Sequence, residues 1–347
     1  MKVIVIGNFA PSNYQTQIDT LARHFESEGI EVLRTTTRRG KVGKGLDVLR
    51  TLVLPRGGLR GVDAVVAQLH TDFSFAFGIL SVLAGLATQV PVILLYHGSW
   101  SRLGSAQALL HRYRPLFVPM FRRAFQVQVA SPYLGGLLRG IGVESDVVPH
   151  VLDDRWSPQP ARRKPRPRIL WPRVFHNIYD PHMALRTFQR VRAARPDATM
   201  TMVGRGPLRD EVQSEIARRG LQGIVVKDNL PVEALRQEML SHDLYLHTNR
   251  FDNQPLTLLE AMSTGMVAVT SNAGGMPFVF RPGEGGFQAD SGDDAAAARH
   301  VLALLSDEAL FARTSRAALE VAARHRWDRL RVPWLDALQR ARDARRM

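Results

Sequence analysis

Residues 250–265 read RFDNQPLTLLEAMSTG, a pattern that predicts a loop running into a short helix. Pro255 suits the first helical position, because proline lacks a backbone N–H and its φ is preset near the helical value. Gly265 suits the left-handed residue that ends a helix. The backbone N–H groups at residues 256–258 lie at the positive end of the helix dipole, and they form a predicted phosphate-binding site.

Two carboxylates flank the start of this predicted helix, Asp252 before it and Glu260 within it. A carboxylate one or two turns into the helix is placed to bind ribose hydroxyls while the first-turn amides hold phosphates. The following residues, 266–271, are apolar and predict a buried strand, and residues 272–275 read NAGG. Because glycine has no side chain, a ligand can approach the backbone of this loop closely.

The length and composition of the chain are those of a globular protein with two domains. Its 347 residues exceed what one core usually holds, and 45% of them are hydrophobic and 22% charged. The absence of cysteine excludes disulfides, thiolate nucleophiles and cysteine-based zinc sites. The chain begins with the strand-like MKVIVIG and has no apolar run long enough to span a membrane, so we expect a cytoplasmic location. A formal net charge of +14 indicates an acidic partner.

The order of the predicted elements indicates an α/β fold. Strands and helices alternate along the chain without hairpin signals, which predicts parallel, doubly wound sheets. Residues 158–168 are rich in proline and arginine and predict a linker. We therefore predict an N-terminal domain at 1–157, a C-terminal domain at 169–325, and a last helix at 326–347.

The motif that starts at Asp252 resembles the donor-site signature of GT-B glycosyltransferases, in particular the retaining family 4, the glycosyl transferases group 1. That signature has two spaced glutamates, a glycine, an apolar strand and a Gly-Gly-x-Pro turn. Here Asp252 stands in place of the first glutamate, and the matching positions are Glu260, Ala261, Met262, Gly265, Gly274, Gly275 and Pro277. Phe278 departs from the family, which usually has glutamate at that point.

The resemblance implies both a fold and a reaction. The fold is GT-B, with two Rossmann-like doubly wound parallel-sheet domains facing a central cleft and with the last helix, 326–347, returning to the first domain. The reaction moves a sugar from a UDP- or GDP-type nucleotide sugar to an acceptor hydroxyl, with retention at the anomeric carbon. The leaving phosphate is the expected base. Neither a metal nor a cofactor is expected, because the helix dipole and an arginine stabilise the diphosphate.

The resemblance also assigns residues to the nucleotide-sugar site. Arg173 corresponds to the family arginine that closes on the diphosphate, which a guanidinium can bind through two parallel hydrogen bonds. The lysine that usually follows in the family is missing, and Asn177 or His176 is expected in its place. Glu260 is expected to hold the ribose and Asp252 the sugar hydroxyls. The other expected donor contacts are Gly7, Gly204, Asn229, Leu230, Asn253, Gln254, Pro255, Leu256, Thr257 and Gly274.

Two histidines follow predicted strands of the first domain, and ligands bind at such strand ends in open α/β sheets. His97 ends the strand 91–96 and resembles the family histidine that contacts the transferred sugar, so His97 and Asp252 are the predicted catalytic residues. His70 ends the strand 63–69 and is assigned to the acceptor. A hydrogen-bonded loop histidine is the alternative at both positions. Metal binding by the two histidines is not expected, because no further ligand cluster lies near them in sequence.

Two stretches of the first domain are strongly basic. Residues 34–60 contain eight Lys and Arg against one acidic residue, and residues 101–125 contain five Arg and no acid. Such charge is typical of proteins that bind an anionic membrane or a phosphate-bearing acceptor. The residues expected to contact the acceptor or the inner face of the cell membrane are Arg38, Arg39, Lys41 and Lys44. Ordinary solvated surface is the alternative.

The acceptor class stays open at this point: it is a glycan, a lipid-linked molecule or a small molecule. Nucleic acid is not expected, because no nucleic-acid-binding motif is present. Three other functions are also compatible with the sequence. A nucleotide-sugar 2-epimerase shares the fold, and an inverting GT-B enzyme would need a dedicated base. A non-catalytic protein that binds sugar nucleotides or membranes would account for the missing lysine and for aspartate at position 252.

Overall fold

A computed structural model of the protein describes residues 1–9, 16–37, 40–53, 58–70, 74–98 and 106–347. The chain forms two compact units. The first unit contains Met1–Val151 and Trp327–Met347, and the second contains Leu152–Arg326.

The first unit is built on six parallel strands. Its elements up to residue 151 are β1 (Lys2–Ile6), α1 (Gln17–Ser27), β2 (Glu31–Thr35), α2 (Lys41–Val53), β3 (Ala64–Leu69), α3 (Ser74–Thr88), β4 (Val92–Tyr96), α4 (Ala106–Arg112), α5 (Arg114–Arg123), β5 (Gln126–Val129), α6 (Pro132–Arg139) and β6 (Asp146–Val147). Hydrogen bonds join the strands in the order β2-β1-β3-β4-β5-β6. Helices connect parallel strands here, as the alternating pattern predicts.

Alternate residues of each strand leave the first sheet on opposite faces. Ile4 and Ile6 of β1 belong to the core cluster that also contains side chains from α2 through α6. Val3 and Val5 belong to a separate cluster with side chains of α1. The sheet therefore separates two helical layers, and α2, α3, α4 and α5 lie in the same layer.

The second unit repeats the architecture with a second six-stranded parallel sheet. Its elements are β7 (Arg168–Pro172), a 3-10 turn (Asn177–Tyr179), α7 (Pro181–Ala194), β8 (Thr199–Val203), α8 (Arg209–Arg218), β9 (Ile224–Lys227), α9 (Val232–Ser241), β10 (Leu244–His247), α10 (Leu256–Ser263), β11 (Val267–Ser271), a 3-10 turn (Met276–Phe278), β12 (Gly286–Ala289), α11 (Asp294–Ser306) and α12 (Glu308–Ala323). The strand order is β12-β11-β10-β7-β8-β9. The carboxyl ends of β7 and β10 are neighbours in this order, which matters for the site below.

The last helix, α13 (Trp327–Arg346), belongs to the first unit although it follows the second in sequence. Trp327 Nε1 donates a hydrogen bond of 2.8 Å to Glu28 Oε1, and the Trp327 ring stacks on His24 at 4.7 Å between centroids. Trp334 and Leu338 are buried in the core cluster of α1. These contacts complete the α1 face of the first sheet.

The division between the units falls after Val151 and not at the predicted linker. Residues 158–168 lie in the second unit, where Arg162 and Arg166 both pair with Asp243, a carboxylate that is only 1% exposed. Burial raises the pKa of Asp243, but its hydrogen bonds to Arg166 and Arg162 outweigh burial and lower it. The segment was interpreted as a linker because of its proline and arginine content, and its buried partner Asp243 is distant in sequence.

Both basic stretches of the first domain contain helices that the sequence analysis left unassigned. The first stretch forms α2, and the second forms α4 and α5. Arg38 and Arg39 lie outside the described residues. Lys41 begins α2, and the Nζ of Lys44 donates a 2.6 Å hydrogen bond to Asn8 Oδ1. Lys44 therefore ties α2 to the loop after β1.

Candidate active site

Arg173 and Asp252 form a buried ion pair in the second unit. Arg173 directly follows β7, and Asp252 lies in the loop between β10 and α10. The Nη2 of Arg173 donates to Asp252 Oδ2, and its Nη1 donates a 2.9 Å hydrogen bond to Thr257 Oγ1 in the first turn of α10. The ring of Tyr179 lies against the guanidinium, with 4.1 Å from Cζ to the ring centroid. Three segments thus hold one arginine in place.

Both members of the ion pair are charged at neutral pH. Burial favours a higher pKa for Asp252, but the charge of Arg173, together with the contacts to His247 and the Asn253 amide, outweighs burial and lowers the pKa to about 2. Burial alone would lower the pKa of Arg173, but Asp252, together with Tyr179 and Tyr245, outweighs burial and raises it. The Nε of Arg173 is buried and has no hydrogen-bond partner among the residues that the structure describes.

His247 is a site residue that the sequence analysis missed. It ends β10, is 0% exposed, and places its Nε2 3.4 Å from Asp252 Oδ2. Burial, reinforced by the charge of Arg173, lowers its pKa to about 4, so the ring is neutral at pH 7. The signal was available, because His70 and His97 were selected for the same position at the end of a predicted strand.

Two glycines let neighbouring loops approach the backbone of the ion pair. Gly274 has φ +69°, and a Cβ there would lie 2.3 Å from the carbonyl oxygen of Asp252. Gly204 has φ +155°, and a Cβ there would lie 2.1 Å from the carbonyl oxygen of Arg173. The amide of Gly275 donates to the Asp252 carbonyl at 2.8 Å. The glycine loops that the sequence assigned to the site therefore do lie against Arg173 and Asp252.

The helix α10 begins one residue later than the sequence analysis stated. Pro255 is the residue before the first turn, with φ −70° and ψ 122°, and Leu256 is the first helical residue. No side chain in the described part of the chain caps this end, so the amides of Leu256 and Thr257 remain available. Asn253 and Gln254 are buried just before the helix. Gly265 follows its last turn with φ +76°, which is the predicted left-handed stop.

Glu260 lies on α10 with Asp153 and Arg155 close by. Burial is the main cause that raises the pKa of Glu260 to about 8, and the Asp153 charge acts in the same direction. The Nε of Arg155 donates a 2.9 Å hydrogen bond to Asp153 Oδ1. Glu260 is therefore mainly protonated at pH 7. Asp153 was not among the site residues assigned from the sequence, because it is distant from Glu260 along the chain.

Three of the remaining predicted donor residues lie on two loops at neighbouring strand ends. Gly204 follows β8, and Asn229 and Leu230 follow β9. A bidentate pair between Arg205 and Asp228, at 2.5 and 2.7 Å, joins the two loops. The Asn229 amide donates to Asp228 Oδ1 at 2.8 Å. Asn177 begins the exposed 3-10 turn after β7 and makes no contact with the ion pair that the structure records.

Three histidines lie at strand ends of the first unit. The Nδ1 of His97 is 2.8 Å from His150 Nε2, and the centroids of the His70 and His97 rings are 5.5 Å apart. Burial, and after it the two neighbouring histidines, holds the pKa of His97 well below its usual range. His150 was not among the residues selected from the sequence. Within the described residues no group of His, Asp and Glu is arranged to hold a metal ion.

Gly7, the other predicted contact of the first unit, follows β1 and faces α1. A Cβ at this position would lie 2.6 Å from the side chain of Ile18, so glycine allows the strand and the helix to pack closely. None of the helices in the described part is long and apolar enough to cross a membrane.

The sequence of the second unit matches a known protein family. The family model described as glycosyl transferases group 1 matches residues 153–326, which is half of the chain. Sulfoquinovosyl transferase SQD2 of Arabidopsis thaliana is 25% identical over 356 residues, covering 91% of this chain and 68% of the relative.

Several solved structures resemble the chain over 98% of its length, including the following two. Anabaena Alr3699/HepE, crystallised with UDP, matches with a TM-score of 0.73 and 16% identity over 98% of this chain and 99% of that one. The sucrose-phosphate synthase of Thermosynechococcus elongatus matches with a TM-score of 0.75 and 14% identity over 98% of both chains. At these identities the likeness concerns the fold, and it confirms the predicted GT-B class with two Rossmann-like domains.

Proposed function

The chain belongs to the glycosyl transferases group 1, and on that premise we propose that it moves a sugar from a nucleotide-sugar donor to an acceptor hydroxyl. The observation that carries the proposal is the buried Nε of Arg173, which has no acceptor among the described residues. A buried donor without a partner costs about 1–3 kcal/mol. A phosphate oxygen would satisfy it beside the positive end of α10.

The donor is proposed to be a UDP- or GDP-type sugar. Crystal structures of Anabaena Alr3699/HepE contain UDP, and in one case glucose as well, which supports this class. In this chain the base would meet the loops at Gly204 and at Asn229–Leu230, which the Arg205–Asp228 pair joins. The diphosphate would lie between Arg173 and the first turn of α10.

Stabilisation of the leaving diphosphate is the proposed source of catalysis. Negative charge develops on the diphosphate as its bond to the anomeric carbon breaks, and preorganised positive groups there lower the barrier. Arg173 and the amides of Leu256 and Thr257 would supply them without a metal ion. The acceptor oxygen forms the new bond to the anomeric carbon, and its proton passes to the leaving phosphate. Attack on the face from which the phosphate departs gives retention.

Asp252 would both hold Arg173 and bind the sugar. Its Oδ2 accepts from Arg173, and its Oδ1 accepts from the Asn253 amide at 2.8 Å. An ionised carboxylate has about four acceptor positions, so some remain for sugar hydroxyls. Aspartate is one methylene shorter than glutamate. The carboxylate of Asp252 therefore extends less far from the backbone than the carboxylate of the family's glutamate would.

Glu260 would bind the ribose after losing a proton. Its raised pKa, about 8, means that it is mainly neutral at pH 7 before the nucleotide binds. Two ribose hydroxyls that donate to the carboxylate would favour the ionised form. Binding of the nucleotide would then release a proton below pH 8.

His97 and His70 of the first unit are proposed to contact the transferred sugar and the acceptor. Because His97 is neutral, it would act through hydrogen bonds and not through charge. The basic stretches favour an anionic or lipid-linked acceptor, used at the cytoplasmic face of the membrane.

A nucleotide-sugar panel tests the proposed function. The purified chain is heated with UDP- and GDP-sugars, and at least one donor is expected to raise the melting temperature, because ligand binding stabilises the folded state. Arg173→Ala should lose the shift. Arg190→Ala should keep it, because Arg190 pairs with Asp294 on α7 and α11.

Product analysis then separates the alternatives. Transfer requires an acceptor and yields nucleoside diphosphate together with a glycosylated product, whereas a 2-epimerase would convert the donor alone. A chain that is stabilised by no nucleotide sugar would contradict the proposal.

A further inference from the structure

The helix α3 has an unusual surface for a helix exposed to water. Its sequence, SFAFGILSVLAGLAT at 74–88, contains no charged residue. One face packs into the core through Phe75, Phe77 and Val82. On the other face Leu83 is 57% exposed and Leu86 53% exposed. A surface helix of a globular protein normally has a polar outer face. The outer face of α3 instead exposes apolar side chains to water.

The apolar surface continues on the two helices that pack against α3, namely α2 and α5. On α2 three apolar side chains are exposed at positions one turn apart, and these are Val42, Leu46 and Leu49. On α5 Leu116 is exposed as well. All three helices cover the same face of the sheet, so side chains that turn away from the core share one outer surface. We call it the apolar layer: Val42, Leu46, Leu49, Leu83, Leu86 and Leu116.

Basic residues are frequent on the helices of the apolar layer and on the neighbouring α4. The elements α2, α3, α4 and α5 together contain seven Lys and Arg but a single acid, Asp47. Arg50, Arg114 and Arg123 are exposed. Exposed apolar side chains flanked by cations without acids are typical of helices that lie in the interface of an anionic bilayer.

We propose that the apolar layer docks on an anionic lipid bilayer, with Leu83 and Leu86 entering the headgroup boundary and the flanking arginines meeting lipid phosphates. Charge complementarity favours this occupant over a second copy of the chain. Two apolar layers face to face would bring like-charged arginines together on a protein whose net charge is already +14. A soluble polyanion would match the arginines but would leave the leucines in water.

The proposed bilayer contact involves other residues than those that were expected from the sequence to meet the membrane. Arg38 and Arg39 lie outside the described residues, and Lys44 is bonded to Asn8. The apolar layer contributes a part of the binding free energy that does not depend on salt, whereas the arginines contribute a part that does. Attraction to the bilayer should weaken as the Debye length falls from about 10 Å at 0.1 M to about 3 Å at 1 M salt.

Cosedimentation with vesicles tests the proposal without any sugar donor, so its failure is distinct from failure of the transferase. Vesicles of phosphatidylcholine with phosphatidylglycerol are compared with phosphatidylcholine alone, and the full chain should bind only the anionic ones at low salt. The double variant Leu83→Gln, Leu86→Gln should weaken binding at least about tenfold, because it removes two buried apolar side chains from the docked state.

The matched control is Val332→Gln. Val332 is 56% exposed on α13, which covers the opposite face of the same sheet, and its replacement should leave vesicle binding unchanged. The wild-type protein, the double leucine variant and Val332→Gln should all have the same nucleotide affinity and melting temperature. This comparison separates loss of docking from loss of folding. Arg50→Gln with Arg114→Gln should weaken binding at low salt.

A fluorescent label gives a direct reading of insertion. The chain has no cysteine, so Leu83→Cys and Val332→Cys can each carry one environment-sensitive probe. A blue shift with anionic vesicles at position 83 but not at 332 supports the proposal. It is overturned if the wild-type protein does not bind anionic vesicles, if both probes shift equally, or if the glutamines abolish a dimer seen by light scattering instead.

Discussion

The ion pair between Arg173 and Asp252 joins two neighbouring strand ends of the second unit, across 79 positions of sequence. Their side chains are only 11% and 16% exposed. The Thr257 hydroxyl accepts from the same guanidinium, and Tyr245 OH lies 3.0 Å from that hydroxyl. Burial raises the pKa of Tyr245 to about 12, so this partner stays neutral. The arginine proposed to hold the diphosphate is therefore positioned by groups that do not titrate near neutral pH.

Breaking this pair from one side should destabilise the protein. Arg173→Met leaves a buried carboxylate without its partner, which typically costs about 3–5 kcal/mol in the free energy of unfolding. Adding Asp252→Leu should recover most of that loss, while both variants lose transfer activity. Urea denaturation measures the first effect and nucleotide release the second.

Arg190→Met is the control for the ion-pair variants, because the Arg190 side chain is 57% exposed and Asp294 keeps its second partner, Arg186. The loss should therefore be less than about 1 kcal/mol. Should Arg173→Met unfold at the same urea concentration as the wild type, the pair is not buried in solution. Activity in the double variant would remove Arg173 from the phosphate site.

Loss of the Glu260 carboxylate should weaken nucleotide binding. A hydrogen bond to a charged group is worth about 1.5–3 kcal/mol, so Glu260→Ala should lower affinity at least about tenfold at pH 9. Isothermal titration with the preferred nucleotide measures this change. Glu233→Ala, on the exposed start of α9, is the control and should bind normally. Equal affinity of the two variants would place the ribose elsewhere.

The raised pKa of Glu260 should also appear in pH profiles. The folded pKa, about 8, lies above the unfolded value of about 4.3. The folded state therefore holds the proton in this window, and its contribution to the free energy of unfolding falls as pH rises through it. Glu260→Gln should remove that slope. Nucleotide affinity should rise with pH up to about 8 in the wild type and stay flat in the variant.

His247 should have the opposite pH signature. Its folded pKa, about 4, lies below the unfolded value of about 6.5, so its contribution to stability is present above 6.5 and is lost as pH falls to 4. His247→Phe should flatten this acid limb in urea denaturation, whereas His111→Phe, at an exposed position, should not. Because His247 borders Asp252, the variant should also lower kcat more than it raises KM. An unchanged acid limb would mean that His247 is solvated in solution.

Transfer should persist in excess EDTA, since Arg173 and the α10 dipole are proposed to stabilise the leaving group. The measurement is nucleoside diphosphate release before and after chelation, with Mg²⁺ and Mn²⁺ added back. Complete loss with recovery on adding metal would overturn the proposed phosphate site.

Local patterns predicted the parts of this protein that neighbouring residues determine. The loop, helix and left-handed stop at 252–265 follow from proline and glycine, whose backbone preferences act within a few residues. Alternation of apolar strands with amphipathic helices predicted the two parallel sheets. Even these predictions had errors in their bounds, since Pro255 lies before α10. The helices α2, α4 and α5 were not predicted, because their stretches were interpreted by charge alone.

Pairing between distant residues was decided by the strand order of the tertiary structure. Because β10 lies beside β7, Arg173 meets Asp252, and the same order brings His247 behind them. Asp243, which directly precedes β10, pairs with Arg162. The segment that was predicted to be a linker therefore makes a buried contact. Neither pairing could be predicted from neighbouring residues. The sequence shows that a residue is charged, but it does not show whether water or a buried counter-ion surrounds that residue. Burial sets the energy of such a pair, and burial depends on which strands become neighbours.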